Sequence, residues 1–294
     1  MTLSFGQNGV FFMKKALLRC KTCGAEYGAD RAPFRCACGE PLDLAWNGFG
    51  IEANERCQSR RYAAFYPFAA GEWRSLGEGG TPLVKLETLA KELGLAEVAV
   101  KNESANPTWS FKDRGTASCI AHARALGYTK VGTVSSGNMA ASVAAYAAAA
   151  DMEAFVLVKG NVADEKLAPI AIYGPHLLRV AGPYYELYGE SLRLGAERGI
   201  YFMNSDVPFR VAGSRTIAYE IAEERGFRVP DWVIVPTSAG GNLRGIVNGF
   251  EDLRRAGLTE KLPRFICAQA ANISPIAAAF AAGAARIRRF PDNE

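Results

Sequence analysis

From about residue 98 onward, short apolar segments alternate regularly with longer segments of helical character. The apolar segments predict strands at 98–101, 131–135, 154–158, 177–181, 200–204, 232–236 and 264–268. The segments between them predict helices at 110–126, 136–150, 163–173, 184–198, 214–225 and 242–256. Apolar strands that alternate with helices are typical of parallel sheets covered on both faces. The pattern therefore predicts an α/β fold, in which ligands bind where strands end and helices begin.

Length and composition limit the classes of protein that this fold can serve. The 294 residues, 49% hydrophobic and 22% charged, are typical of a globular protein with two folding units. The net charge of +4 is too small to indicate a nucleic-acid partner. No apolar segment approaches the roughly 18 residues of a membrane span, so we expect no membrane partner. With only two histidines, histidine-based catalysis and histidine-rich metal centres are hard to build.

The first residues do not follow the order of a secretory signal. A short apolar run at 10–13 precedes Lys14 and Lys15. A secretory signal instead begins with positive charge and continues with a longer apolar region. We therefore expect a cytoplasmic protein.

Four of the seven cysteines form two closely spaced pairs near the N terminus. They are Cys20, Cys23, Cys36 and Cys38. In a reducing compartment, paired cysteines indicate a metal more often than disulfides. Thiolates on two tight turns, permitted by Gly24 and Gly39, could hold a structural zinc ion. The second pair is one residue shorter than the usual spacing, so a ribbon of free thiols remains the alternative.

Lys112 lies in the polar loop 106–115, at the start of a predicted helix. Ser110 or Thr108 can cap that helix. The helix dipole disfavours positive charge in the first turn, so we expect a lowered pKa for Lys112. A lowered pKa leaves more of the free amine, which attacks aldehydes to form Schiff bases. The alternative is a solvated patch of charged residues at a helix start.

Two further loops place small and hydroxyl residues between a strand and a helix. The loop at 134–140 has two serines, a glycine and an asparagine, and the loop at 234–243 has hydroxyl residues and two glycines. The helix after such a loop offers free backbone N–H groups to an anion, although a capped helix or a tight turn accounts for each loop as well. The second loop lacks the lysine of nucleoside-triphosphate loops and the glycine spacing of dinucleotide folds, which favours a monophosphate.

An imine-forming lysine and a monophosphate loop are together what pyridoxal phosphate requires. Its aldehyde bonds the lysine, its phosphate anchors the far end, and its ring withdraws electrons. Each loop is a weak signal by itself. Their occurrence on one α/β chain predicts a pyridoxal-phosphate enzyme.

The residues of these loops resemble those of threonine synthase and its relatives among the fold type II, or tryptophan-synthase-β-like, pyridoxal-phosphate enzymes. The string Asn-Pro-Thr-x-Ser-Phe-Lys-Asp-Arg-Gly at 106–115 is the most specific match, and the resemblance extends from the cysteines to about residue 282. It implies two doubly wound α/β/α domains with mainly parallel sheets, plus a small N-terminal cysteine module. The implied ranges are 1–50 for the module, 51–117 with 199–294 for a large cofactor-binding domain, and 118–198 for a small mobile domain.

The resemblance also implies roles for individual residues. Lys112 takes the Schiff-base position and, once released, acts as the general base. Asn138 takes the position that bonds the ring hydroxyl of the cofactor. The positions that bind the cofactor phosphate are Ser238, Ala239, Gly240, Gly241 and Asn242. The positions that bind a phosphorylated amino acid are Ser135, Ser136, Asn204, Ser205 and Arg210.

Several departures from the family pattern bear on the substrate. Met139 replaces a threonine that helps to bind the substrate phosphate, and Trp109 stands where a small glycine is usual and would narrow the site. The phosphate loop is Ser-Ala-Gly-Gly-Asn rather than Gly-Asn-Ala-Gly-Asn. Relatives also continue past residue 294, so the resemblance implies a large domain that lacks its C-terminal portion.

The activity that the resemblance implies is the conversion of O-phosphohomoserine and water to threonine and phosphate. The first alternative is elimination or β-replacement on serine, threonine or O-phosphoserine, as in a dehydratase or a cysteine or cysteate synthase. An alternative of another class is a non-catalytic paralogue that uses its cysteine module for protein contacts. Family analogy also implies a homodimer.

Overall fold

The computed structural model describes residues 16–31, 34–45, 48–52, 54–55, 57–182, 184–285 and 287. Its strands are β1 (Leu17–Cys20), β2 (Glu26–Gly28), β3 (Leu42–Ala45), β4 (Leu83–Lys85), β5 (Ala99–Lys101), β6 (Lys130–Val134), β7 (Glu153–Lys159), β8 (His176–Val180), β9 (Tyr201–Phe202), β10 (Trp232–Pro236) and β11 (Arg264–Ala268). Its α-helices are α1 (Gln58–Arg61), α2 (Glu87–Glu92), α3 (Lys112–Ala125), α4 (Asn138–Ala149), α5 (Asp164–Ala171), α6 (Tyr184–Arg198), α7 (Pro208–Glu224), α8 (Gly241–Arg255) and α9 (Pro275–Ala281). This element order confirms the predicted α/β class.

A four-stranded parallel sheet in the order β8-β7-β6-β9 is covered by helices on both faces. Successive residues of a strand point to opposite faces. Val156 and Val158 accordingly pack with the alanines of α4, whereas Leu157 packs with Leu187 of α6. The predicted small domain, 118–198, ends before β9, yet β9 pairs with β6, so this sheet extends beyond that range.

Helix α7 packs against α3 on one side and α8 on another, at distances that only glycine allows. A Cβ atom on Gly213 of α7 would lie 2.2 Å from the carbonyl oxygen of Arg114 in α3. A Cβ atom on Gly249 of α8 would lie 2.4 Å from the carbonyl oxygen of Arg215 in α7. This packing brings the three helices into one layer, beside the parallel pair β10 and β11.

The N-terminal module is an antiparallel three-stranded sheet in the order β2-β1-β3. The segment that follows it contains α1 and two 3₁₀ turns. Its buried aromatic side chains pack on α7, with the ring centroids of Phe65 and Tyr219 4.3 Å apart. The module and this segment therefore line one side of the helix layer.

Two predicted elements differ from the structure in ways that affect the site. Helix α7 begins at Pro208 and not at residue 214, because proline is well suited to the first turn, where its missing N–H is not needed. Arg210 consequently lies in the first turn of α7 and not in a loop. Strand β5 forms an antiparallel pair with β4, outside the parallel sheets.

Among the described residues, no helix is both long and apolar enough to cross a membrane.

Candidate functional site

One cavity of about 150 Å³ collects residues from three of the predicted motifs. Lys112 comes from the start of α3, Ser205 and Arg210 from the loop before α7 and its first turn, and residues 238–242 from the loop before α8. The sequence motifs are up to 130 residues apart (242 − 112), so their convergence is a property of the fold. Residues that line the cavity and were not predicted are Phe111, Val211, Ser214, Pro236 and Thr237.

Lys112 is a partly buried amine at the cavity wall. Its Nζ atom lies 3.7 Å from the centroid of the Phe111 ring. Burial, with the positive charge of Arg210 as the second cause, lowers the pKa of Lys112 to about 7. The predicted direction agrees with this result, but the predicted cause, the helix dipole, is not the one found. A large fraction of this amine is therefore neutral, and nucleophilic, near pH 7.

The residues after Lys112 are structural and not a solvated patch. Asp113 is fully buried and accepts hydrogen bonds from the backbone N–H and the hydroxyl of Thr108, at 2.7 and 2.5 Å. Arg114 is fully buried and donates to both oxygens of Glu220, at 2.6 and 2.8 Å, and to Glu103. These bonds fix the loop and the first turn of α3, and so fix the position of Lys112. The predicted cap from Thr108 is not formed, whereas Ser110 Oγ does accept from the Lys112 N–H at 3.3 Å.

Trp109 adopts a left-handed backbone conformation with φ of 58°. In this region a side chain clashes with the backbone, so glycine is favoured, which accounts for the glycine expected here. The indole is 78% exposed and is not among the residues that line the cavity. The prediction that Trp109 narrows the site is therefore wrong for this cavity, because the side chain points to solvent.

We expect Trp109→Gly to raise the free energy of unfolding by about 0.5–1 kcal/mol. Relief of the left-handed strain stabilises the folded chain by about 1–2 kcal/mol. The extra conformational freedom of glycine in the unfolded chain offsets part of this stabilisation. Urea denaturation measures the change. Trp109→Ala keeps the Cβ atom and the strain, so it should give no such gain. An equal gain in both variants would show that the indole, and not the backbone, is the source of strain.

The loop before α8 has the features of an anion site. Gly240 has a left-handed φ of 92°, and a Cβ atom on Gly241 would lie 2.9 Å from the carbonyl oxygen of Ser205. No side chain caps the first turn of α8 in the described part of the chain, so the backbone N–H groups at this end of the helix, which lines the cavity, are left without a capping partner. Asn242 has a buried side-chain oxygen without a hydrogen-bond partner among the described residues. Because an amide oxygen only accepts, that atom does not bind a phosphate, and the backbone N–H groups at the start of α8 are the donors available to one.

Arg210 supplies a buried positive charge at this cavity. The residue is 8% exposed, and its guanidinium donates to the carbonyl oxygen of Met203 at 3.3 Å and contacts the sulfur of Met139. Because Met139 is the second residue of α4, this contact joins Arg210 to the loop at 134–140. An anion in the cavity would meet Arg210 with little competing water.

Four predicted site residues do not line this cavity, namely Ser135, Ser136, Asn138 and Asn204. Asn138 is exposed at the first position of α4, and Ser135 Oγ accepts from the N–H of Gly137 at 3.2 Å. The side chain of Asn204 is buried, accepts from the N–H of Val134 at 3.2 Å and donates to Ser191 at 2.9 Å. Asn204 therefore joins β6 to α6, and its amide is already engaged where the prediction had it bind substrate.

The four predicted metal-ligating cysteines do converge. The Sγ atoms of Cys20, Cys23, Cys36 and Cys38 all lie within 4.8 Å of one another. Gly24 and Gly39, directly after each pair, have left-handed φ values of 76° and 85°, as the turns predicted. The cluster could hold a metal ion with four thiolate ligands.

The residues that the sequence did not reveal are those contributed by neighbours of the recognised motifs. Thr237 directly precedes the predicted phosphate positions, so its place on the strand-to-helix turn was a usable signal. Ser214 reaches the cavity only because α7 packs closely on α3 and α8, and no local pattern marks it.

Comparison with known proteins identifies the family. Residues 74–292 match the family described as pyridoxal-phosphate dependent enzyme. The threonine synthases of Methanocaldococcus jannaschii and Methanosarcina acetivorans are 39% and 35% identical to the chain, over 90% and 92% of its length and 68% of theirs.

Solved structures give the same result for the fold. A fungal L-serine ammonia-lyase from Rhizomucor miehei matches 69% of the chain and 64% of its own, with a TM-score of 0.59 and 25% identity. A maize serine racemase matches 73% of the chain and 62% of its own, with a TM-score of 0.61 and 25% identity. The chain therefore belongs to the family of pyridoxal-phosphate dependent enzymes, as a lyase related to the threonine synthases.

Proposed function

We propose that the chain converts O-phosphohomoserine and water to threonine and phosphate. The observation that carries the proposal is the cavity that joins a lysine of lowered pKa, a loop suited to one phosphate, and a second cationic group, Arg210. A dehydratase of unphosphorylated amino acids needs only the first two of these. The relatives named threonine synthase, at 35–39% identity, support the same reading.

The residues present fit pyridoxal phosphate. Lys112 supplies the amine that bonds its aldehyde, and residues 238–242 supply backbone donors for its phosphate. Bound there, the cofactor withdraws electrons from the carbon atom that loses a proton. Asn138, at the start of α4, is the residue proposed to bond the ring hydroxyl. It lies beside Met139, which contacts Arg210, although Asn138 itself does not line the cavity.

Lys112 is suited to move the proton of the substrate α-carbon. A base works best when its pKa lies near the working pH, since it is then often unprotonated and still accepts a proton well. The pKa of about 7, caused by burial and by Arg210, meets this condition. The bonds of Asp113 and Arg114 that fix the first turn of α3 keep the amine at the cavity wall.

Arg210 and Ser205 are the groups proposed to hold the phosphate of the substrate. A guanidinium that forms paired, charge-assisted hydrogen bonds is the preferred partner of a phosphate. Ser205 lies on the same wall, and its backbone oxygen is so near Gly241 that an added Cβ atom would lie 2.9 Å from it, so the two phosphate-binding segments lie side by side. Ser135 and Ser136, on the loop that Arg210 approaches through Met139, are proposed as further contacts to the substrate. Asn204 acts in this proposal by holding β6 and α6 together.

We expect the chain loaded with pyridoxal phosphate to form threonine and phosphate from O-phosphohomoserine, and Arg210→Gln to lower kcat/KM by about 100-fold. The loss corresponds to charge-assisted hydrogen bonds of roughly 1.5–3 kcal/mol. Chromatography of threonine and an assay of released phosphate measure the reaction. The matched control is Arg193→Gln, which removes an exposed arginine of α6 and should leave kcat/KM unchanged.

A second candidate is elimination from serine or threonine. The contact of the Met139 sulfur with the Arg210 guanidinium favours it, since an apolar thioether there leaves less room for a phosphate. The similarity to a serine ammonia-lyase structure agrees with this candidate. Release of ammonia from serine or threonine, with Arg210→Gln as active as the parent and no threonine formed from O-phosphohomoserine, would select it. Cofactor binding with no turnover of any of these substrates would instead favour a non-catalytic protein.

A further inference from the structure

The four-cysteine cluster has the dimensions of a tetrahedral metal site. Zn–S bonds of about 2.3 Å place the sulfur atoms of such a site about 3.8 Å apart. The Sγ atoms of Cys20 and Cys38 are 3.7 Å apart, and those of Cys23 and Cys36 are 3.4 Å apart. Four thiolates in this arrangement, in a chain whose described cysteines form no disulfide, suit zinc better than magnesium or calcium, which prefer oxygen ligands.

The backbone around the cluster already has the conformation that a metal would require. The N–H of Gly24 donates to the Cys20 carbonyl at 3.0 Å, and the N–H of Gly39 donates to the Cys36 carbonyl at 2.8 Å. The N–H of Ala37 donates to the hydroxyl oxygen of Tyr27 at 2.9 Å, which leaves the Tyr27 O–H to donate to Cys36 Sγ, 3.3 Å away. A hydrogen bond to a ligand sulfur, such as this one from Tyr27, orients the thiolate and compensates part of its charge.

The module that carries these cysteines is bonded to α8, the helix that follows the phosphate loop. Asp43 of β3 is buried and accepts from Arg244 of α8 at 2.8 Å and from Asn248 at 3.0 Å. Lys21, between the first two cysteines, donates to Asn248 at 2.7 Å. Arg244 lies in the first turn of α8, three residues after Gly241, so these bonds act directly on the anion-binding end of the helix.

The same module contacts the other two segments of the cavity. Arg35, next to Cys36, forms an ion pair with Asp206, the neighbour of Ser205. The carbonyl oxygen of Ala29, directly after β2, is 2.9 Å from Nε2 of the buried His122 in α3. A carbonyl only accepts, so Nε2 carries the proton, and Nδ1 accepts from the Tyr201 hydroxyl at 2.8 Å. The helix of Lys112, the loop of Ser205 and the helix of Gly241 are thus all bonded to the cysteine module.

We propose that the four cysteines bind one Zn²⁺ ion and that this ion, without touching the cavity, fixes the three segments that bind pyridoxal phosphate. A three-stranded sheet of strands this short has little core of its own, and a metal ion is the usual means of holding such a module rigid. Without the ion, the turns at 20–24 and 36–39 lose their common anchor. The bonds from Lys21, Arg35 and Asp43 then hold the cavity segments less firmly, and cofactor affinity falls.

Zinc content and cofactor affinity of the full chain test both parts of the proposal. We expect one zinc per chain in the parent by elemental mass spectrometry, and intense visible bands typical of tetrahedral thiolate coordination when Co²⁺ replaces it. Cys23→Ser should lose the metal and raise the dissociation constant for pyridoxal phosphate, measured by visible absorption, by about tenfold. Cys57→Ser, which removes a cysteine outside the cluster, should change neither value.

Asp43→Asn separates the two parts of the proposal, because it keeps all four thiols and weakens the link to Arg244. It should retain one zinc and still raise the dissociation constant for the cofactor. Asp43→Asn also tests the coupling if circular dichroism shows that Cys23→Ser does not fold. Absence of stoichiometric zinc in the parent would overturn the metal site, and unchanged cofactor affinity in Asp43→Asn would overturn the coupling. Turnover is not measured, so the result is independent of which amino acid the enzyme uses.

Discussion

Replacing Lys112 with alanine is expected to abolish the visible absorption of lysine-bound pyridoxal phosphate and to lower turnover by about a thousandfold or more. The amine is the nucleophile for the cofactor aldehyde and the base for the substrate proton, and a general base alone contributes 10²–10⁴-fold. The measurement is a visible spectrum of the parent and the variant with added cofactor. After borohydride reduction, mass spectrometry should find the cofactor on the peptide that contains Lys112.

The control for this experiment is another lysine that lies on the surface. Lys261→Ala removes an amine that is 63% exposed and pairs with Asp231, and it should leave the absorption band unchanged. A band of full intensity in Lys112→Ala would contradict the assignment. It would mean that a different amine bonds the cofactor.

The pH dependence of band formation follows from the lowered pKa of Lys112. Because the neutral amine is the reactive form, the rate of band formation should rise through pH 7 and level off above it. For a lysine of ordinary pKa, this rate would continue to rise up to about pH 10. Without cofactor, the folded chain binds fewer protons at this site than the unfolded chain between about pH 7 and pH 10.5. The free energy of unfolding should therefore rise with pH across that window, and Lys112→Met should remove that contribution.

Much of the site could be predicted because each of its parts is a short, contiguous string of residues. Lys112 and residues 238–242 each lie in a short string at a strand-to-helix boundary, where the periodicity changes, and the structure places both strings on one cavity. The four cysteines were predictable for the same reason, because the pair spacing and the following glycines define the turns. Local chemistry determines these features, and local chemistry is what one sequence contains.

The supporting contacts could not be predicted because they join distant residues. Arg114 and Glu220 are 106 positions apart, and the fully buried state of Arg114 depends on α7 lying against α3. Asn204 has a polar side chain at a strand end, which suits a binding site, but the fold uses its amide to join Val134 and Ser191. A single sequence contains no signal that distinguishes these two uses.

The close packing of α3 on α7 leads to the largest expected loss of stability from a single methyl group. Gly213→Ala should lower the free energy of unfolding by about 3 kcal/mol, since the added Cβ atom would lie 2.2 Å from the Arg114 carbonyl oxygen and 2.6 Å from the backbone of Gly115. Neither obstacle is the end of a flexible side chain, so the two helices must separate. Urea denaturation measures the loss.

Separation of these helices also moves the residues that build the cavity. Lys112 is three positions before Gly115 and Arg210 is three positions before Gly213, so the variant should bind pyridoxal phosphate more weakly even where it remains folded. The matched control is Gly189→Ala in α6, where an added Cβ atom meets nothing within 4 Å. That change should stabilise the chain by up to about 1 kcal/mol, because alanine favours a helix over glycine. Equal stability of Gly213→Ala and the parent would show that α3 and α7 are farther apart than the structure has them. The cavity between Lys112 and Arg210 would then be wider than described above.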